Sequence, residues 1–141
     1  MKGLVIATHA DLGAELLRAC ELIIGPVKYA RAISVQRDNG VEQVQELFQT
    51  AIQEVGIDGE GVLIMTDMLG GTPANIGAAY IKEGEVDILT GVNLPMVLKF
   101  FNSEIIFERN SGFIPATGSS NNKSSAPFAR QQPRVNNFCC P

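Results

Sequence analysis

Between Gly3 and Phe101 the apolar positions alternate between short unbroken runs and stretches with helical spacing. The first run, Gly3-Leu4-Val5-Ile6-Ala7-Thr8, is too short for a helix of its own and contains β-branched residues, as a buried parallel strand does. The segment from Asp11 to Ile24 then places Leu12, Leu16, Ala19 and Ile23 on one predicted helical face. A strand over Ala30 to Val35 precedes a helix from about Val41 to Val55, with Val44, Leu47, Phe48 and Ala51 on one side. A buried strand, Gly61 to Thr66, leads through a glycine loop to a helix predicted over Thr72 to Lys82. A shorter strand at Val86 to Thr90 reaches Gly91-Val92-Asn93-Leu94-Pro95 and a fourth helix, Leu94 to Phe101. Gly25-Pro26, Gly56 and Gly84 stand where helices should stop.

Strands that alternate with helices form right-handed βαβ units. The expected fold is therefore α/β: a doubly wound, mainly parallel four-stranded sheet with helices on both faces. After Phe101 the rhythm is lost. Asn102 to Pro141 carries Pro115, Pro127, Pro133 and Pro141 around a Gly118-Ser119-Ser120-Asn121-Asn122 tract, and only Glu104 to Glu108 reads as a short strand. Polar low-complexity sequence buries too little apolar area to offset its ordering entropy. The chain thus divides into a domain over residues 1–101 and an irregular tail over 102–141.

Composition narrows the class of function. A chain of 141 residues suits one domain with one sizeable core. The formal net charge of -4 offers no basic footprint, so no nucleic-acid partner is expected. No run approaches the roughly 20 apolar residues that span a bilayer. The first strand begins almost at the N-terminus, which leaves no room for a signal peptide, and a cytoplasmic protein is expected. Cys20 falls on the apolar side of a helix and Cys139-Cys140 are adjacent, which is neither a disulfide framework nor a metal-ligand spacing. The reading calls for no metal and no cofactor.

The chemistry lies at the ends of two strands. His9 is the sole histidine, and it stands at the carboxyl end of the first strand, where open α/β sheets hold their ligands. An isolated histidine more often fills or caps a loop than reacts. A second loop, Met65-Thr66-Asp67-Met68-Leu69-Gly70-Gly71-Thr72-Pro73-Ala74-Asn75, changes that balance. Asp67 ends the third strand, which in a doubly wound sheet neighbours the first across the switch point. Gly70-Gly71 allows close approach of backbone to a ligand. Thr72 is expected as the helix N-cap, with Pro73 in the first helical position. The free N–H groups of that first turn suit an anion. Read alone, the loop is a capped helix start, and neither a P-loop nor a dinucleotide fingerprint is present. Read together, His9 supplies a nucleophile and Asp67 a carboxylate that fixes its tautomer. The helix start supplies a cradle for phosphate oxygens, and a covalent phosphohistidine is within reach.

Three segments carry a resemblance: Val5-Ile6-Ala7-Thr8-His9-Ala10, the loop Thr66 to Asn75, and Thr90-Gly91-Val92-Asn93-Leu94-Pro95-Met96. In order and spacing they resemble the enzyme IIA domain of the mannose class of the bacterial phosphoenolpyruvate-dependent sugar phosphotransferase system. The resemblance covers about residues 1–101. It implies that His9 is phosphorylated, that Asp67 is its partner, and that Thr66, Gly70, Gly71 and Thr72 bind the phosphoryl group. The implied donor is the histidine phosphocarrier protein and the implied acceptor a IIB domain, which serves a membrane sugar permease indirectly. A homodimer is also implied. Family members continue with a longer helical region and a strand exchanged between subunits. The tail of this chain departs from that pattern and has the character of a vector-derived or out-of-frame ending.

Other readings stay open at this point. The chain could be the phosphotransferase subunit that serves a dihydroxyacetone kinase, although Gly70-Gly71-Thr72-Pro73 favours the sugar class. It could be a phosphorylation-responsive regulatory module. It could also be an α/β ligand-binding domain with no covalent chemistry, which the phosphocarrier would leave unlabelled.

Overall fold

The computed structural model describes residues 2–111. They run β1 (Gly3–His9), α1 (Leu12–Ile24), β2 (Ala30–Val35), α2 (Val41–Val55), β3 (Val62–Thr66), α3 (Thr72–Ala78), β4 (Val86–Thr90) and α4 (Leu94–Ser111). All strand pairs are parallel, in the order β2-β1-β3-β4. β1 is therefore internal, and its residues Gly3 to Thr8 are buried. The chain winds from β1 outward to β2 and then back across to β3. The switch point lies between β1 and β3, as the sequence predicts.

Alternation along β1 divides the core into two layers. Val5 and Ala7 face α2 and α3 and pack with Val44, Phe48, Ile64 and Ile76. Leu4 and Ile6 face the other way, onto Cys20 of α1 and Val97 and Phe101 of α4. The same parity sends Thr8 toward α1, where its Oγ1 accepts a hydrogen bond from the Gly13 amide at 2.8 Å. His9 is thereby turned to the α3 side.

Four expectations are corrected by tertiary packing. α1 buries Gly13 and Cys20, with Leu17 and Ile24 against the core, whereas Leu12 and Ile23 are 48% and 60% exposed. Apolar residues at Leu16, Leu17, Ala19, Cys20, Leu22, Ile23 and Ile24 surround that helix, so spacing alone cannot set its phase. β3 begins at Val62 because Gly61 adopts φ 90°, and a Cβ there would lie 2.9 Å from the Glu85 carbonyl. α3 stops at Ala78, short of the expected Lys82. Its last turn tightens into i→i+3 bonds from Ala79, Tyr80 and Ile81. Tyr80 is tethered to α2, stacked on Phe48 at 5.7 Å and donating its hydroxyl to the Gln45 carbonyl at 2.8 Å.

α4 runs to Ser111, so Glu104 to Glu108 is helix and the irregular region does not begin at Asn102. Neither glycine nor proline occurs between Pro95 and Gly112, and the buried Val97 and Phe101 anchor the first turns, from which the helix propagates. The rest of the expected tail, residues 112–141, lies outside the described residues. Among the described residues, no helix is long and apolar enough to cross a membrane.

The two-layer packing makes a direct prediction. Phe48 is fully buried between the sheet and α3, so Phe48→Ala should cost about 3–5 kcal/mol in urea unfolding. Ile23→Ala should stay within about 0.5 kcal/mol, since Ile23 is on the solvent side of α1. Equal costs would mean that α1 is seated in the other phase.

Candidate active site

The site is assembled where β1 and β3 end side by side. Ala7 pairs with Thr66, so the next residues along each strand converge on Asp67. One oxygen of Asp67, Oδ2, accepts from the His9 main-chain N–H at 2.9 Å and meets His9 Nδ1 at 2.8 Å. The other, Oδ1, accepts from the Met68 N–H at 2.9 Å. A carboxylate can only accept, so Nδ1 carries the hydrogen, and the ring in its uncharged form presents a lone pair at Nε2. The carboxylate is mostly enclosed, 15% exposed, while the imidazole is 47% exposed. A half-open ring on a sheltered carboxylate is the arrangement of an oriented nucleophile.

Burial acts to raise the Asp67 carboxyl. The opposing hydrogen bonds from the His9 main chain and ring, the charge of His9, and the Met68 N–H outweigh it and hold the group below the ordinary aspartate range.

Gly71 forms the floor under the imidazole. A Cβ on it would stand 2.7 Å from His9 Cε1 and 3.4 Å from Nε2, although its φ of -77° is open to any residue. The need for glycine here is one of space. Gly70 adopts φ 79°, and its carbonyl accepts from Asn75 Nδ2 at 3.2 Å, which ties the loop to the first turn of α3.

The structure also revises the helix cap. Gly71 is the N-cap, Thr72 is the first helical residue, Pro73 comes next, and no side chain caps the helix. The Thr72 hydroxyl is thus not consumed by capping, and Thr72 lines the groove into which His9 opens. The N–H groups of the first turn have no intrahelical partners. α3 has only seven residues, so those directed N–H groups outweigh any dipole contribution. Thr66 sits differently from the other expected phosphate ligands. It is 0% exposed and its hydroxyl has no partner among the described residues, so its side chain lies beneath the loop and does not reach the surface. Its carbonyl accepts from the Val92 N–H at 2.9 Å and thereby joins the Gly91 to Pro95 loop to the end of β3. Asn93 Oδ1 accepts from Met96 N–H at 3.0 Å and caps α4.

One wall of the site is not evident from the sequence pattern. His9 and Thr72 share a groove of about 460 Å³ with Val35 at the end of β2 and with Gln36, Arg37 and Asn39 of the β2–α2 connection. The available clue is that β2 neighbours β1 and its carboxyl end also faces the switch point. Ala10 joins the two walls: it takes φ 49° and donates its N–H to the Val35 carbonyl at 3.0 Å.

Known proteins share the sequence pattern and the fold of this chain. A family described as PTS system fructose IIA component matches residues 3–111. The chain is 31% identical over 100 residues to the PTS system fructose-specific EIIA component of Bacillus subtilis strain 168, covering 70% of this chain and 68% of that protein. It is 30% identical over 97 residues to the PTS system sorbose-specific EIIA component of Lacticaseibacillus casei, covering 68% and 69%. Against the mannose-specific EIIAB component of Escherichia coli K12 it is 26% identical over 97 residues, and the match spans 30% of that longer protein. In three dimensions it resembles the PTS IIA protein associated with the fucose utilization operon of Streptococcus pneumoniae. The TM-score is 0.66 at 23% identity, over 80% of this chain and 92% of that one.

The geometry of the floor and of the carboxylate each sets an expected outcome. Gly71→Ala should fold normally, because the obstructed atoms belong to a side chain that can rotate, yet it should displace the imidazole from Asp67. Nitrogen-15 spectra of the His9 ring would report this, and unchanged Nδ1 and Nε2 resonances would contradict the close floor. The depressed Asp67 carboxyl sets the sign of a pH effect. The folded chain binds that proton less readily than the unfolded one, so the Asp67 bonds contribute fully above the ordinary aspartate range near ~4 and lose their contribution as pH falls through the lower folded value. The melting-temperature advantage of the native chain over Asp67→Asn should therefore shrink below about pH 4. An advantage that persists through strongly acidic solution would refute the bond.

Proposed function

The chain belongs to the fructose/mannose-class IIA family of the sugar phosphotransferase system, and from that membership we propose that His9 is its phosphoryl-accepting residue. The family consists of phosphotransferase-type components of sugar transport. The observation that carries the residue assignment is the contact of His9 Nδ1 with Asp67 Oδ2 at 2.8 Å, which leaves Nε2 as the uncommitted nitrogen of a ring that lines the groove.

Phosphoryl transfer needs positioning and charge stabilisation more than covalent help from the protein. Nε2 donates its lone pair to phosphorus as the bond from phosphorus to the donor nitrogen breaks, and that electron pair returns to the donor. The ring keeps its Nδ1 hydrogen and becomes cationic as the new N–P bond forms. Asp67 stabilises that imidazolium without taking its proton, as the carboxylate of a catalytic triad does. The Thr72 hydroxyl and the N–H groups of Gly70, Gly71 and Thr72 receive the phosphoryl oxygens. Thr66 acts from below by holding Asp67 and the Gly91 loop. The reverse displacement passes the group onward.

The donor is the histidine phosphocarrier protein and the acceptor a IIB domain that serves a membrane sugar permease. The reaction takes place in the cytoplasm, needs no cofactor, and is carried out by a homodimer. Service to a dihydroxyacetone kinase and a purely regulatory role are secondary, since the named relatives are sugar-specific components.

The test is incubation with phosphoenolpyruvate, enzyme I and the phosphocarrier. One acid-labile, base-stable phosphate should appear per chain, and none in His9→Ala. Asp67→Asn should still fold and label on the order of a hundredfold more slowly, the scale of a lost orienting group. Full labelling of His9→Ala would dispose of the reading. A native rate in Asp67→Asn would remove Asp67 from it.

A further inference from the structure

The loops at the carboxyl ends of the four strands carry three carboxylates, Asp11, Asp38 and Asp67, and one cation, Arg37. A phosphoryl group on His9 would bring further negative charge to an edge that is already acidic. Like charges a few ångströms apart in a partly enclosed site are costly unless a cation stands among them.

Arg37 is placed to be that cation. It lines the same groove as His9 and Thr72. Its side chain is exposed and makes no ion pair or hydrogen bond among the described residues. Its main chain, in contrast, is fixed. Gln36 to Asn39 form a turn closed by Asn39 N–H to the Gln36 carbonyl at 3.2 Å and by Gln36 N–H to Asn39 Oδ1 at 2.6 Å. Asn39 Nδ2 reaches on to Gln43 Oε1 of α2 at 3.0 Å. The turn begins directly after Val35, whose carbonyl holds Ala10 beside His9. A guanidinium with no partner among the described residues therefore belongs to a turn closed by two hydrogen bonds, in the groove that the imidazole and Thr72 also line.

We propose that Arg37 is a phosphoryl-binding residue, receiving oxygens of the group on His9 Nε2 from the side opposite Thr72. This rests on the phosphohistidine reading and adds a residue to it. A planar guanidinium offers two parallel N–H donors to a phosphoryl group, which a lysine ammonium cannot reproduce. The bond would form mainly as the phosphoryl group arrives, so it lowers the barrier to transfer as well as stabilising the product.

The test separates the phosphoryl group from the docking of a donor protein. Phosphoramidate, a small-molecule donor, phosphorylates His9 with no partner surface: the P–N bond of the reagent breaks, ammonia leaves, and the N–P bond to Nε2 forms. The native chain, Arg37→Gln, Arg37→Lys and Lys28→Gln are labelled in parallel by phosphoramidate and by the phosphocarrier, with circular dichroism confirming the fold. Arg37→Gln should label about tenfold more slowly with both donors, the scale of one lost charge-assisted hydrogen bond. Arg37→Lys should recover part of the rate, and Lys28→Gln, which removes an exposed cation before the start of β2, should match the native chain. The phosphorus-31 resonance of the phosphorylated chain should move in Arg37→Gln. A native phosphoramidate rate in Arg37→Gln overturns the proposal, and a deficit confined to the phosphocarrier does the same by assigning Arg37 to protein docking. Failure of the native chain itself to label with either donor would instead strike the phosphohistidine reading.

Discussion

A single carboxylate oxygen ties the molecule together at its functional end. Asp67 Oδ2 accepts both the main-chain and the ring hydrogen of His9, so one atom joins the end of β3 to the end of β1 and sets the ring at the same time. Much of the remaining structure serves to bring that oxygen to that place. The register that pairs Ala7 with Thr66 aligns the two strand ends, and the buried apolar residues of β1 hold it there, since a one-residue slip would exchange its two faces. The parity that buries Val5 and Ala7 under α2 and α3 also turns His9 toward the start of α3. Core packing and site geometry are thus one constraint seen at two points along β1.

The loops around this pair divide the work by rigidity. Gly70 and Gly71 supply shape, one through its left-handed backbone and one by having no side chain. Asn75, Thr66 and Asn39 supply tethers through hydrogen bonds that need no ligand. His9, Thr72 and Arg37 then present polar groups with unused capacity on a frame that is already closed. This is preorganisation in its usual sense: the cost of ordering is met during folding, and little is left to be met when charge arrives.

Much of this is legible in the residues because the strands are short, apolar and punctuated. The order of elements, the parallel sheet and the meeting of His9 with Asp67 all come from alternation and the switch-point rule. The features that are not legible depend on long-range contacts. The phase of α1 is hidden because apolar residues surround it, and only packing against Val97 and Phe101 of α4 selects Leu17, Cys20 and Ile24. The end of α3 is determined by Tyr80 reaching Gln45 on another helix. The extent of α4 is masked by the proline-rich, polar composition beyond its last turn. Arg37 is inconspicuous for a different reason: its place in the groove of His9 comes only from β2 lying beside β1.

The grip on His9 has a consequence for regiochemistry. An imidazole free in solution can react at either nitrogen, and the two phosphorylated isomers differ in stability and reactivity. Here Nδ1 is closed off by Asp67, and a ring flip would sacrifice that bond while turning the ring above Gly71, where the gap is too small even for a methyl group. An electrophile that enters along the groove can meet only Nε2. Were a phosphoryl group to be received here, the isomer would be set by a carboxylate and an absent side chain, and the histidine itself would have no part in the choice.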